Sequence, residues 1–130
     1  MMTFYQKLER ARELHQGLLT RREMALALIE EYFEMRAAKT QEEMLDELLD
    51  IAVVAFRIGN GEYEGRRDKE TLEQTKRPVF INAESKKFLE RAVIRLCVML
   101  FSDEDVQQQA KTVSALAILM RETNDPRTEG

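Results

Sequence analysis

Thr20-Arg21-Arg22-Glu23 and Thr40-Gln41-Glu42-Glu43 open the two halves of the stretch that decides the fold, residues 20–60. Each places a threonine three residues before a glutamate, so that the hydroxyl and the carboxylate can satisfy free N–H groups at a helix start. Neither Gly nor Pro interrupts Met24 to Ala38 or Met44 to Ile58. The pattern predicts one helix to about Ala38 and a second beginning almost at once and running to about Ile58. Gly59-Asn60-Gly61 stops it. So short a connection permits only an antiparallel αα-hairpin.

Before the hairpin, Phe4, Leu8, Ala11 and His15 recur at helical spacing over residues 3–16, until Gly17 weakens the helix. After it, residues 59–82 read as an irregular basic loop, in which Asp68–Lys76 has room for a short helix ended by Arg77-Pro78. Asn82 reads as the cap of a helix over 83–101. Ser102-Asp103-Glu104-Asp105 opens a last helix to about Glu122, with Val106, Ala110, Val113, Ala117 and Met120 on one stripe, and Asn124-Asp125-Pro126 ends it. The expected architecture is a single all-α domain over 1–130, a helical bundle of four to five helices built around the αα-hairpin. Helices over 3–58 precede the loop at 59–82, and a C-terminal helical hairpin occupies 83–122.

Composition narrows the function classes. Hydrophobic residues make up 44% of the 130 and charged ones 34%, the balance of a globular chain with a core. A net charge of -4 offers nothing to a nucleic-acid backbone, so no nucleic-acid partner is expected. Cys97 stands alone in an apolar run, which excludes an intrachain disulfide and reads as a buried, inert thiol. No apolar stretch reaches the roughly 20 residues that span a bilayer. Lys7, Glu9 and Arg10 do not suit a signal peptide, so a cytoplasmic protein without a membrane partner is expected.

Two acidic pairs carry what chemistry the chain shows. Glu31 and Glu34 lie one turn apart on the first hairpin helix, Glu47 and Asp50 one turn apart on the second. Isolated pairs of this kind mean little, and Glu43-x-x-Asp46, Glu70-x-x-Glu73 and Glu122-x-x-Asp125 also occur. The first two differ in their surroundings. Ala27 and Ala38 flank Glu31 and Glu34 on one stripe, which lets a neighbouring helix come close. Asp50 runs straight into Ile51-Ala52-Val53-Val54-Ala55-Phe56, apolar on every side and therefore buried. Like charges at this spacing repel, and a hard cation such as Mg²⁺ among four converging carboxylates offsets that cost.

Glu30-Glu31-x-x-Glu34, twelve intervening residues, then Glu47-x-x-Asp50 resembles the EExxE…ExxD signature of the all-α nucleoside triphosphate pyrophosphohydrolases. That group comprises MazG-type proteins, dimeric dUTPases and phosphoribosyl-ATP pyrophosphohydrolases, and the likeness covers residues 4–60. The resemblance implies hydrolysis of a nucleoside triphosphate between its α- and β-phosphates, dependent on Mg²⁺ (or Mn²⁺ in its place). Glu31, Glu34, Glu47 and Asp50 would then be the catalytic metal ligands, with Glu30 in a supporting role. The family's downstream basic and Asn positions have no clear counterpart after Asp50. Arg57, Asn60, Arg66, Arg67 and Lys69 are the candidates for phosphate contacts, against the plain reading of a solvated basic loop. Tyr5, His15 and Phe33 are candidates for the nucleobase, against a packing role for each. A homodimer is expected, because the hairpin alone cannot bury both of its faces. The competing reading is a non-enzymatic helical adaptor or inhibitor, whose acids are solvated or meet a basic partner. A family member that binds nucleotide without turnover is a third.

Overall fold

The computed structural model describes residues 2–14, 19–64, 88–102 and 104–125, and all of its regular structure is helical. Five helices follow in order: α1 Phe4–Leu14, α2 Arg21–Ala37, α3 Gln41–Gly59, α4 Leu89–Phe101 and α5 Gln107–Asn124. The start of α2 is a complete capping box. The Thr20 hydroxyl accepts from the Glu23 N–H, and the Glu23 carboxylate accepts from the Thr20 N–H, each at 3.1 Å. At α3 the box is shifted by one residue. Thr40 accepts from the Glu43 N–H as expected, but the Glu43 carboxylate takes the N–H of Lys39 at 3.0 Å. Thr3 and Gln6 form a third reciprocal pair at the start of α1.

α3 is the central element. It packs against α2 as the expected hairpin, against α1 at one flank, and along most of its length against α5, while α4 bridges α2 and α5. Alanines 52, 55, 110 and 117 are all buried, and their small size brings α3 and α5 close. The Ser114 hydroxyl donates to the Ala52 carbonyl at 3.0 Å across that seam. Leu28, Leu48, Ile51, Ile58, Leu96, Val106 and Val113 are fully enclosed, each contributing about 1.5–3 kcal/mol of burial. α4 and α5 thus cover, from within the chain, the side of the hairpin that α1 leaves open.

The end of α4 is closed by a residue from far away. The Arg21 guanidinium donates to the carbonyls of Met99, Leu100, Ser102 and Glu104 at 2.7–3.2 Å and lies 5.5 Å over the Tyr63 ring. This is why α5 starts at Gln107, five residues after the expected Ser102. With the Ser102 and Glu104 carbonyls turned to Arg21, and the Ser102 hydroxyl 2.8 Å from the Glu104 carboxylate, that segment closes α4. Asp105 supplies the turn into α5, accepting from the Gln107 N–H at 3.0 Å. α5 runs two residues beyond the expected Glu122, to Asn124, whose side chain donates to the Met120 carbonyl. Glu64 pairs with Thr20 in an isolated bridge and donates its N–H to the Leu19 carbonyl, pinning the chain after α3 to the start of α2. The expected cap at Asn82 and the short helix at 68–76 lie outside the described residues.

Candidate metal centre

The hairpin brings the acids of α2 and α3 face to face. Glu31, Glu34 and Glu47 each offer a carboxylate oxygen, and the three oxygens lie within 4.8 Å of one another. Asp46, Glu47 and Asp50 form a second set by the same measure, so Glu47 belongs to both. One oxygen of Glu31 and one of Glu47 are fully shielded from solvent and accept from no donor among the described residues, although a proton shared between these two carboxyls is among the causes of their shifts. Buried acceptors left this way cost about 1–3 kcal/mol each, more when charged.

The electrostatics follow from this crowding. Burial, then the charges of Asp50 and Glu34, push the Glu31 carboxyl up to about 8. Burial and the Asp50 charge push Glu47 up to about 7. Asp50 is raised too, by burial, although Lys7 pulls the other way. The Lys7 ammonium lies 2.8 Å from Asp50 and 3.0 Å from Asp46. Its own burial acts to lower its pKa, but its bonds to those two carboxylates outweigh that and raise it. An isolated ion pair raises its cation and lowers its anion. Asp50 departs from that rule because burial and Asp46 outweigh one shared ammonium. The second acidic set therefore carries a cation of the chain's own, and the first carries none among the described residues.

All-oxygen donors, anionic and clustered, suit a hard divalent ion such as Mg²⁺ and offer nothing to a soft one. The two shielded oxygens, with no donor to them among the described residues, leave the Glu31–Glu34–Glu47 set able to take a counter-ion. On these observations the residues fit a metal. Asp50 stands outside this trio, its charge shared with Lys7, and adjoins it through Glu47.

A cleft of about 300 Å³ opens beside the centre, between α1, α2 and α3. Glu31 and Asp50 lie at its acidic edge, Met24, Ala27, Val53 and Val54 form an apolar wall, and Lys7, Arg10 and Arg57 supply positive charge. Arg57 is only 4% exposed. Its one described partner is Glu62, whose oxygen lies 3.5 Å from Arg57 Nε, too loose for a hydrogen bond. Glu62 is itself gripped at 2.9 and 2.7 Å by both arms of Arg12. Burial acts to raise the Glu62 carboxyl, and the two arginines outweigh it and hold it below its ordinary value. Arg57 thus keeps much of its charge for whatever enters the cleft.

The other sequence candidates divide. Asn60 ends α3, its N–H returning to the Phe56 and Arg57 carbonyls, and lies away from the cleft. Arg66, Arg67, Lys69 and His15 lie outside the described residues. Tyr5 and Phe33 are 77% and 65% exposed on outer faces, so neither packs in the core nor lines the cleft. Glu30 is exposed and outside both acidic sets. Cys97 is buried as expected, and burial pushes its thiol up to about 11. Lys7, Arg10 and Asp46 were not legible as site residues. Lys7 meets its carboxylates across some forty positions of sequence, with no spacing to announce it.

Comparison with protein-family models, with curated proteins and with solved structures gives no match. No helix among the described residues is long and apolar enough to cross a membrane.

Proposed function

We propose that this protein is a Mg²⁺-dependent nucleoside triphosphate pyrophosphohydrolase, cleaving the α–β phosphate linkage to give a nucleoside monophosphate and pyrophosphate. The observation that carries the reading is the Glu31–Glu34–Glu47 set, with two shielded oxygens that no donor among the described residues reaches, at the edge of a cleft that also holds a buried arginine. Glu31, Glu34 and Glu47 would hold the metal, with Asp50 joining them when Lys7 turns to Asp46 or to substrate. Bound there, Mg²⁺ supplies charge neutralisation on the phosphates and an activated water.

The chain's own residues do the rest. Arg57, Lys7 and Arg10 draw the anionic tail of the substrate into the cleft, and the Met24–Val54 wall takes its sugar or base. Arg57 is almost fully buried in the lining of the cleft, so its guanidinium would meet the substrate largely desolvated. Among the carboxylates, Glu31 and Asp50 line the cleft, and whichever of them the metal leaves free would accept a proton from the attacking water. A homodimer belongs to the same reading.

The test is a panel of canonical and modified nucleoside triphosphates incubated with the purified protein and Mg²⁺, scored for pyrophosphate. Release that disappears in Glu47→Gln and in Asp50→Asn, with helicity intact, is the expected result. Equal turnover by the wild type and both variants would refute the reading. Nucleotide binding without release identifies a binding protein on the same site.

A further inference from the structure

α1 brings a cation of its own in among the carboxylates of the hairpin. Lys7 Nζ lies 2.8 Å from an oxygen of Asp50 and 3.0 Å from one of Asp46, and its side chain is only 12% exposed. Those two aspartates complete, with Glu47, a set of three oxygens grouped as closely as the Glu31–Glu34–Glu47 set. Glu47 is common to both. Two hard-cation sites that share one carboxylate match the plan of a two-metal centre, whose ions stand about 3.5–4 Å apart. In the second set that place is taken by the ammonium.

We infer that Lys7 is a tethered counter-ion standing in the position of a second metal, so that this centre holds one divalent ion where its carboxylates alone would hold two. The inference rests on the metal reading of the Glu31–Glu34–Glu47 set and goes beyond it. Two further observations carry it. The first is charge. Asp46 and Asp50 join Glu31, Glu34 and Glu47 to make five carboxylates on the facing sides of two helices. When all five are ionised, one divalent ion and one ammonium offset three charges, and two divalent ions would offset four. Without Lys7, Asp46, Glu47 and Asp50 are close like charges with no cation on them among the described residues, and a divalent ion is what relieves that repulsion.

The second observation is anchorage. α1 is not held by Lys7 alone. Leu8 beside it is buried, the Phe4 ring meets the Phe56 ring edge-on at 5.5 Å, and Arg12 grips Glu62 through both arms. A helix docked by other contacts presents the ammonium to the aspartates at high local concentration, and an ion from solution has to compete with it. Between Asp46 and Asp50 an ion can enter only after the ammonium has left. A lysine also does what a coordinated ion does not. On its flexible stem the ammonium can pass from the aspartates to an incoming phosphate and return, without leaving the protein.

Manganese counts the sites without recourse to activity. Mn²⁺ is titrated into the full chain, and bound ion is counted by electron paramagnetic resonance from the loss of the free-ion signal. Wild type should take one Mn²⁺ per chain, with the spectrum of an isolated ion. Lys7→Met should take two, each broadening the spectrum of the other. Its second ion should bind at least about tenfold more tightly than any second ion on wild type, the factor set by an ammonium that fills the place more than about nine-tenths of the time. Adding Asp46→Asn to Lys7→Met should return the count to one, because Asp46 belongs to the second set alone. Circular dichroism checks that the helices persist, and Lys7→Gln takes the place of Lys7→Met if they do not. Two ions on wild type, or one ion on the Lys7 variant, overturns the inference and leaves the metal reading standing. No bound ion on wild type overturns the metal reading, and this inference with it.

Discussion

Replacing Glu31 with glutamine should make the metal-free protein more stable and, in the same molecule, remove its response to Mg²⁺. The Glu31 carboxyl has moved from an ordinary 4.5 to about 8, by burial first and by the Asp50 and Glu34 charges next. The folded state therefore holds a proton that the unfolded chain gives up above about pH 4.5. The stabilisation from that proton is complete below the unfolded pKa and is lost as pH rises through the folded one, so the metal-free wild type weakens between about pH 4.5 and 8. Taken at face value, 1.36 kcal/mol per pH unit over that span is about 5 kcal/mol. The side chain is only half-buried, and solvent screening leaves on the order of 1–2 kcal/mol of it. Glutamine keeps the shape of the protonated acid at every pH. The variant should gain about 1–2 kcal/mol over wild type at pH 8.5, a rise of roughly 3–8 °C in Tm, and almost nothing at pH 4.5. Thermal melts followed by circular dichroism in EDTA at the two pH values measure the difference. Adding Mg²⁺ at pH 8.5 should then raise the wild-type Tm and leave the variant's nearly unchanged. A variant equally destabilised at both pH values, or one that keeps the full Mg²⁺ response, would refute the reasoning.

Lys7→Met leaves Asp46 and Asp50 without their ammonium. The metal-free Tm at pH 8 should fall by the equivalent of about 1–2 kcal/mol, while the Mg²⁺ concentration for half-maximal stabilisation, read in the same melts, should drop. Arg57→Met removes a buried charge whose one described contact is loose, so denaturant unfolding should show a stability change under about 1 kcal/mol. Steady-state kinetics of the same variant should show a KM for the nucleoside triphosphate at least about tenfold higher. Arg21→Ala strips the end of α4 of its donors and should cost about 2–4 kcal/mol in urea unfolding, with no effect on Mg²⁺ binding. A loss under about 0.5 kcal/mol would mean that the four carbonyls find water instead.

The fold was legible where its causes are local. Thr20 and Thr40 announce the hairpin because a capping hydroxyl acts within one turn, and the stripe of Ala110, Val113 and Ala117 marks the buried face of α5. Thr3 and Gln6 carry the same signature in a neutral form that the reading of charged boxes passed over. The start of α5 was misplaced because Ser102 and Asp105 both have capping chemistry. The choice between them is made by Arg21, some eighty positions away, which occupies the carbonyls around Ser102.

The candidate site divides in the same way. Convergence of Glu31, Glu34 and Glu47 follows from i,i+3 spacing on two helices forced antiparallel. The separate fate of Asp50 does not, because it depends on where α1 docks and which carboxylates Lys7 then reaches. Nor does the burial of Arg57. An arginine in the last turn of a helix ordinarily snorkels to water, whereas Arg57 lies buried beside Glu62, which Arg12 reaches from α1. The exposed apolar residues of α2 and α4 were each readable as core. Which of them the chain covers and which it leaves open depends on the angle between the two helices.

The central claim is that three glutamates of the hairpin share one divalent cation. Crystals grown metal-free and soaked in Mn²⁺, with anomalous diffraction data collected near the manganese edge, test it most directly. The account predicts an anomalous peak about 2.0–2.2 Å from oxygens of Glu31, Glu34 and Glu47, absent in Glu31→Gln crystals treated alike. Full occupancy elsewhere on the protein, with no peak among those three carboxylates, would contradict it.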